Sequence, residues 1–190
     1  MGHTPFVFPQ SILCWTPGVT TFVSVGNAKQ PFPRLLVAVA SLVDVLPQPV
    51  IVQHGNSPFS ATGYVLRPFM DMVEFEECIE RAELIISHAG AGSIIHAVRA
   101  GKIPVVMPRL VRYDEHVDDH QLELARAFGK LGKVIMVEEQ NDFRPAIAKA
   151  LHKQSVAYAN HQRLPIVDAL KAALGICEAS NFSRWTKEDS

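Results

Sequence analysis

The densest run of chemically useful residues is His88-Ala89-Gly90-Ala91-Gly92-Ser93, set between the apolar Leu84–Ser87 and the helix-like Ile94–Arg99. Gly90 and Gly92 allow a positive φ and close approach of the backbone to a ligand, and Ser93 offers a hydroxyl at a helix start. A strand, a glycine turn and a helix N-terminus in this order present free N–H groups and the positive end of a helix dipole. That combination suits a phosphate. A Walker P-loop is rejected because Ser93-Ile94, not Lys-Ser or Lys-Thr, follows Gly92. The dinucleotide fingerprint G-x-G-x-x-G, started at Gly90, needs a glycine where Ile95 stands, and the loop follows a late strand. A strand-to-helix turn without a ligand stays open.

Further polar groups cluster in PRLVRYDEHVDDHQLELA, Pro108 to Ala125. A helix expected over about Val117–Lys130 places His116, Asp119 and Glu123 on one polar face, His120 at the border, and Val117, Leu124, Phe128 and Leu131 in the buried stripe. His116 and His120 are four apart, as metal ligands on a helix can be, but no third ligand is evident and no metal is expected. Gly26-Asn27 ends the first strand and QHGNS, Gln53 to Ser57, ends the second at the ligand-binding edge, each readable as a plain turn or as a ligand contact, with His54 or Ser57 the candidates in the latter.

The elements that must position these groups alternate. Strands are expected at Thr20–Gly26, Val50–Gln53, Gly63–Leu66, Leu84–Ser87, Val105–Met107 and Lys133–Val137. Helices are expected at Pro33–Leu46, Asp71–Ala82 (with Met72, Phe75, Ile79 and Ala82 at helical spacing), Val117–Lys130, Phe143–Lys153 and Ile166–Leu174, besides the one opening at the glycine loop. Continuous apolar strands between amphipathic helices indicate an α/β, doubly wound, mainly parallel sheet of Rossmann-like type. The 190 residues suit one domain, expected over 20–176 between an N-terminal extension, 1–19, and a polar tail, 177–190. With 48% apolar and 19% charged residues and a formal net charge of −1, the chain reads as a globular protein with no nucleic-acid partner. Cys14, Cys78 and Cys177 are too far apart for a metal site and read as reduced thiols in a cytoplasmic setting. The first twenty residues lack early Lys or Arg and are broken by Pro9 and Pro17, so a secretory signal is not expected; they are an extension or an apolar docking arm.

The segments TFVSVGNAKQPFPRLL, VIVQHGNS, LIISHAGAGSIIHAVRAGKIPVVMPR and EHVDDHQLELA together resemble the C-terminal domain of glycosyltransferase family 28. The resemblance is narrower to its stand-alone PssE-type exopolysaccharide form and to the catalytic subunit of the eukaryotic two-subunit UDP-N-acetylglucosamine transferase. It implies the nucleotide-sugar-binding half of a GT-B enzyme, with a UDP-sugar as substrate and no separate cofactor. By that resemblance His88 to Ser93 holds the donor diphosphate. His96 stands where the family carries a ribose-binding glutamate, and an imidazole cannot accept two hydroxyls as a carboxylate does. Glu115, His116, Asp119, His120 and Gln121 fall in the donor-sugar block, and Gly26, Asn27 and His54 are further contacts to test. Leaving-group charge would be stabilised by the loop N–H groups, with His88 or Arg109 as cationic helpers. Arg109 and Arg112 together suit a carboxylate-bearing sugar, so a hexuronic acid is a candidate donor beside a neutral hexose.

The family's acceptor half and general base are expected on a partner, a PssD-like membrane-associated subunit presenting a lipid-linked sugar. The chain is then expected to be cytoplasmic and peripheral at the inner membrane; a homodimer is left open. The competing readings are a non-catalytic nucleotide-sugar-binding accessory subunit that activates a partner transferase, and an NAD- or flavin-linked protein.

Overall fold

A computed structural model describes residues 21–160, with side chains to Ser155. The N-terminal extension, the helix expected at Ile166–Leu174 and the polar tail lie outside the described residues. In chain order the elements are β1 (Thr21–Ser24), α1 (Pro33–Ala40), β2 (Val50–Gln53), β3 (Tyr64–Arg67), α2 (Met72–Arg81), β4 (Leu84–His88), α3 (Ala91–Arg99), β5 (Val105–Met107), α4 (His120–Lys130), β6 (Ile135–Met136) and α5 (Phe143–Asn160). The strands form one sheet in the order β3-β2-β1-β4-β5-β6, and every pairing is parallel.

Alternation along each strand sends side chains to two opposite cores. Val23, Val50, Val52, Leu84 and Ile86 pack with Leu35, Leu36 and Val39 of α1 and with Phe143, Ile147 and Ala150 of α5. On the other face Phe22, Ile51 and Ile85 meet Cys78 and Ile79 of α2 and Ala97 of α3, while Val106 meets Ile94, Ala125 and Phe128. Helices α1 to α4 have only 8, 10, 9 and 11 residues, below the roughly 12–15 needed for a marginally stable isolated helix. Burial of their apolar faces, about 1.5–3 kcal/mol for each large side chain, therefore holds them in place.

Several boundaries differ from expectation for local reasons. Helix α1 ends at Ala40 instead of Leu46, because the Ser41 hydroxyl donates back to the Ala38 carbonyl and the following N–H groups of Leu42 and Val45 make tighter three-residue bonds. Helix α4 starts at His120, so His116 lies in the preceding loop. Asp118 Oδ1 accepts from His120 N and Asp119 Oδ1 from Val111 N, which forms turns where helix was expected. The stripe expected on α4 is corrected accordingly: Val117 is 77% and Leu131 43% exposed, and the buried positions are Gln121, Ala125 and Phe128.

Candidate functional site

In the order 3-2-1-4-5-6 the chain reverses direction between β1 and β4, and ligands of open parallel sheets bind beyond the strand carboxyl ends at that point. An open cleft of about 240 Å³ lies there. Its floor carries Ser24, Gly26, Asn27 and Gln53, with His88 beside them. One wall is the start of α3, with Gly92, Ser93 and His96; the other is the start of α2, with Met70 to Met72 and Phe75.

Gly90 is the N-cap of α3 and has no side chain to cap with, so the first-turn N–H groups face the cleft without a side-chain partner. Neither Gly90 nor Gly92 has the positive φ expected of it: Gly90 is extended at φ −73, and Gly92 is helical. Gly90 is required for space, because a Cβ there would collide with the His88 ring. The same ring lies 2.5 Å from a Cβ placed on Gly26, whose φ of +75 already favours glycine. A Cβ on Gly92 meets nothing within 4 Å, so its missing side chain leaves room in the cleft.

His88 Nδ1 lies 3.4 Å from the Ser24 carbonyl, which can only accept, so this nitrogen carries the proton. Burial first, then the charge of Arg109, pull the imidazole down from 6.5 to about 4, against the opposing pull of the Ser24 carbonyl. His88 is therefore uncharged at neutral pH, and the expectation of a cationic helper at this position is corrected. Between pH 6.5 and 4 the unfolded chain holds a proton at this site that the folded chain does not. Stability thus falls on acidification through that window, by about 3 kcal/mol. Urea unfolding at pH 7.5 and pH 4 should show this loss in the wild type and not in His88→Asn; equal pH slopes in the two proteins would refute it.

Arg109 is fully buried and does not line the cleft. Its Nη1 donates to the carbonyls of Gln30 and Glu115 and its Nη2 to that of Val25, while the guanidinium stacks 4.7 Å above the Phe32 ring. Burial lowers its pKa to about 10, which leaves it charged at neutral pH. The guanidinium that sequence reasoning aimed at a departing phosphate instead ties the β1–α1 loop to the loop after β5. Glu115, only 3% exposed, is likewise engaged: it receives Arg34 Nε and Nη2 at 3.0 and 2.8 Å and Leu110 N at 3.1 Å.

The rest of the second polar block also stays off the cleft lining. Gln121 Oε1 accepts from Arg109 N, and Asp118 lies between His116 at 3.0 Å and His120 at 3.1 Å. The backbone N–H of His120, followed by the two imidazoles, holds the Asp118 carboxyl below its usual range. Arg112 is exposed and stacks on Tyr113, so the arginine pair expected beside a sugar carboxylate is not assembled. His54 Nδ1 lies 2.9 Å from the Ser57 carbonyl and Ser57 Oγ accepts from Phe32 N, which makes this segment a structural turn. Among the described residues no three His, Cys, Asp or Glu side chains converge as a metal site.

His96 does line the cleft. Its Nδ1 is 3.2 Å from Glu76 Oε1 on α2, and its ring stands edge-on to Phe75 at 6.0 Å. Sequence reasoning missed Glu76, Ser24 and the apolar wall of Met70, Met72 and Phe75, and within Gln53–Ser57 it singled out His54 and Ser57 where the cleft is lined by Gln53. Ser24 and Gln53 carried a usable signal, being polar residues that end apolar strands at the ligand-binding edge of the sheet.

A doubly wound parallel sheet with an uncapped helix N-terminus at its switch point defines an α/β domain of Rossmann-like, GT-B type. The chain belongs to the glycosyltransferase family 28 C-terminal domain, which matches residues 21–172. It is 39% identical over 88 residues to the human UDP-N-acetylglucosamine transferase subunit ALG13, covering 44% of this chain and 7% of that protein. The corresponding Yarrowia lipolytica subunit is 47% identical over 72 residues, 38% of this chain and 32% of that one. A Syntrophus aciditrophicus UDP-N-acetylglucosamine–N-acetylmuramyl-(pentapeptide) pyrophosphoryl-undecaprenol N-acetylglucosamine transferase is 27% identical over 117 residues, 62% and 30% of the two chains. The chain thus spans at most about a third of these relatives. In fold it is similar to spinosyn forosaminyltransferase SpnP, with TM-score 0.59, 18% identity and coverage of 90% and 42%. The glycotransferase of kitacinnamycin gives 0.58, 15%, and 83% and 40%.

Proposed function

We propose that the chain is the donor-binding subunit of a UDP-sugar-dependent glycosyltransferase. The observation that carries this reading is the uncapped N-terminus of α3 opening onto the switch-point cleft. The diphosphate accepts hydrogen bonds from the first-turn N–H groups, and the base lies along Met70, Met72 and Phe75. With His88 neutral and Arg109 enclosed, preorganised N–H groups carry the stabilisation of leaving-group charge. The sugar extends toward the loop of His116 to Gln121. Acceptor binding and the general base belong to a membrane-associated, PssD-like partner that presents a lipid-linked sugar for exopolysaccharide synthesis. The word "subunit" in the ALG13 relatives' names supports a second polypeptide. The complex would then work at the cytoplasmic face of the membrane.

Calorimetry with UDP, GDP, ADP, NAD and flavin mononucleotide tests the nucleotide, and UDP is expected to bind. Binding of NAD, or only of GDP or ADP, overturns the assignment. Sugar transfer by the co-purified pair, with loss of transfer but not of UDP binding when the partner is removed, distinguishes a catalytic subunit from a nucleotide-sugar-binding activator. At the ribose, Glu76 holds the His96 ring so that one edge meets the cleft. His96→Ala is expected to erase the preference for UDP over 2′-deoxy-UDP, a change of roughly tenfold for one lost hydrogen bond. An unchanged ratio of the two dissociation constants would remove His96 from ribose recognition.

A further inference from the structure

The last residues of β1 and β2 begin a chain of hydrogen bonds with one fully satisfied direction. Ser24 and Gln53 are paired in register, so their side chains leave the same face of the sheet. Gly26 N donates to Ser24 Oγ at 3.2 Å, and the Ser24 hydroxyl donates to Gln53 Oε1 at 2.5 Å. Gln53 then offers its NH2 to Asn27 Oδ1 at 2.8 Å. With the Gln53 amide reversed, the Ser24 hydroxyl would accept twice and its hydrogen would have no partner, at a residue only 1% exposed. Gln53, although it borders the cleft, is only 2% exposed, so little water competes for these contacts. The carbonyl of Asn27 is thereby turned inward. Asn27 itself is exposed on the cleft floor, where its NH2 remains as a pair of donors without an acceptor.

We propose that Gln53 is a positioning residue that fixes the Asn27 amide donor-side outward, and that Asn27 uses those donors on the terminal phosphate of a nucleoside diphosphate. The inference rests on the donor-binding reading and adds the group that distinguishes a diphosphate from a monophosphate at this site. Backbone N–H groups of α3 provide one anion contact; Asn27 provides another from the loop after β1. A donor-only amide suits a phosphate oxygen and rejects a ligand group that must itself donate.

The test uses uridine, UMP and UDP as a ladder with the full chain. In Gln53→Glu the introduced carboxylate still accepts from Ser24 but cannot donate to Asn27, which turns over and presents its carbonyl to the cleft. The gain in affinity from UMP to UDP is expected to shrink about tenfold, with uridine and UMP changed less than twofold. Asn27→Ala should remove a similar share of that gain, and the double variant should lose no more than either single one. If the buried carboxylate prevents folding, Gln53→Met, which frees the Asn27 amide to rotate, should reduce the same increment about threefold, again without additivity. Equal losses for all three ligands, or additive losses in the double variant, overturn the relay. Wild-type protein that fails to bind UDP overturns the nucleotide-sugar reading and the relay with it; UDP binding with additive variants overturns the relay alone.

Discussion

Gly92→Leu should abolish most UDP binding while leaving the protein as stable as before or slightly more so. The argument has two independent parts. Gly92 is the second residue of α3, in its first turn, where a better helix former than glycine costs the helix nothing, and a Cβ at this position contacts nothing. A longer side chain therefore raises the unfolding midpoint by a few degrees at most. It also enters the cleft beside Ser93 and His96 and takes the volume a ligand would occupy. Overpacking of this kind costs about 1–3 kcal/mol, which corresponds to a loss of roughly fivefold to 150-fold in affinity. Thermal melts and UDP calorimetry on the same preparation check both halves. Unaltered affinity would mean that the ligand does not pass over the start of α3.

The opposite signature is expected at Glu115. This carboxylate is buried, receives two nitrogens of Arg34 and caps the N–H of Leu110; Arg34 also donates to the carbonyls of Pro108 and Glu138. Glu115→Ala leaves a guanidinium and a buried N–H without their acceptor. Removing one partner of such a pair costs about 3–5 kcal/mol, and the lower end applies because the Arg34 side chain is 19% exposed. Glu115→Gln keeps one acceptor oxygen and should lose less than half as much. UDP affinity, measured where the variants remain folded, should change less than threefold. A large loss of binding with little loss of stability would return Glu115 to the sugar-contact role that its sequence position suggested.

The sheet was legible because its inner strands are buried on both faces, which leaves continuous apolar runs. The limits of Val50–Gln53 and Val105–Met107 agree with expectation. Helix starts were less legible where aspartates intervene, since Asp118 and Asp119 accept backbone N–H groups that a regular helical reading assigns elsewhere. The glycine loop was visible as a loop, but the reason for Gly90 was not: the His88 ring folds back over the residue two positions on, a contact that leaves no mark on spacing. Polar type also misled. Arg109 and Glu115 look like ligand contacts in one dimension, and only the return of the β1–α1 loop toward β5 reveals their internal partners. The apolar cleft wall was hidden for the reverse reason. Met72 and Phe75 fit the core spacing of an amphipathic helix, yet Met72 is 59% exposed and Phe75 half-buried at the mouth of the cleft.

The imidazole of His88 fills the space between Gly26 and Gly90, two residues 64 positions apart. These three positions are consequently one steric unit. A larger residue at Gly90 requires a smaller one at position 88, whereas at Gly26 the φ of +75 adds a backbone demand that emptying position 88 does not lift.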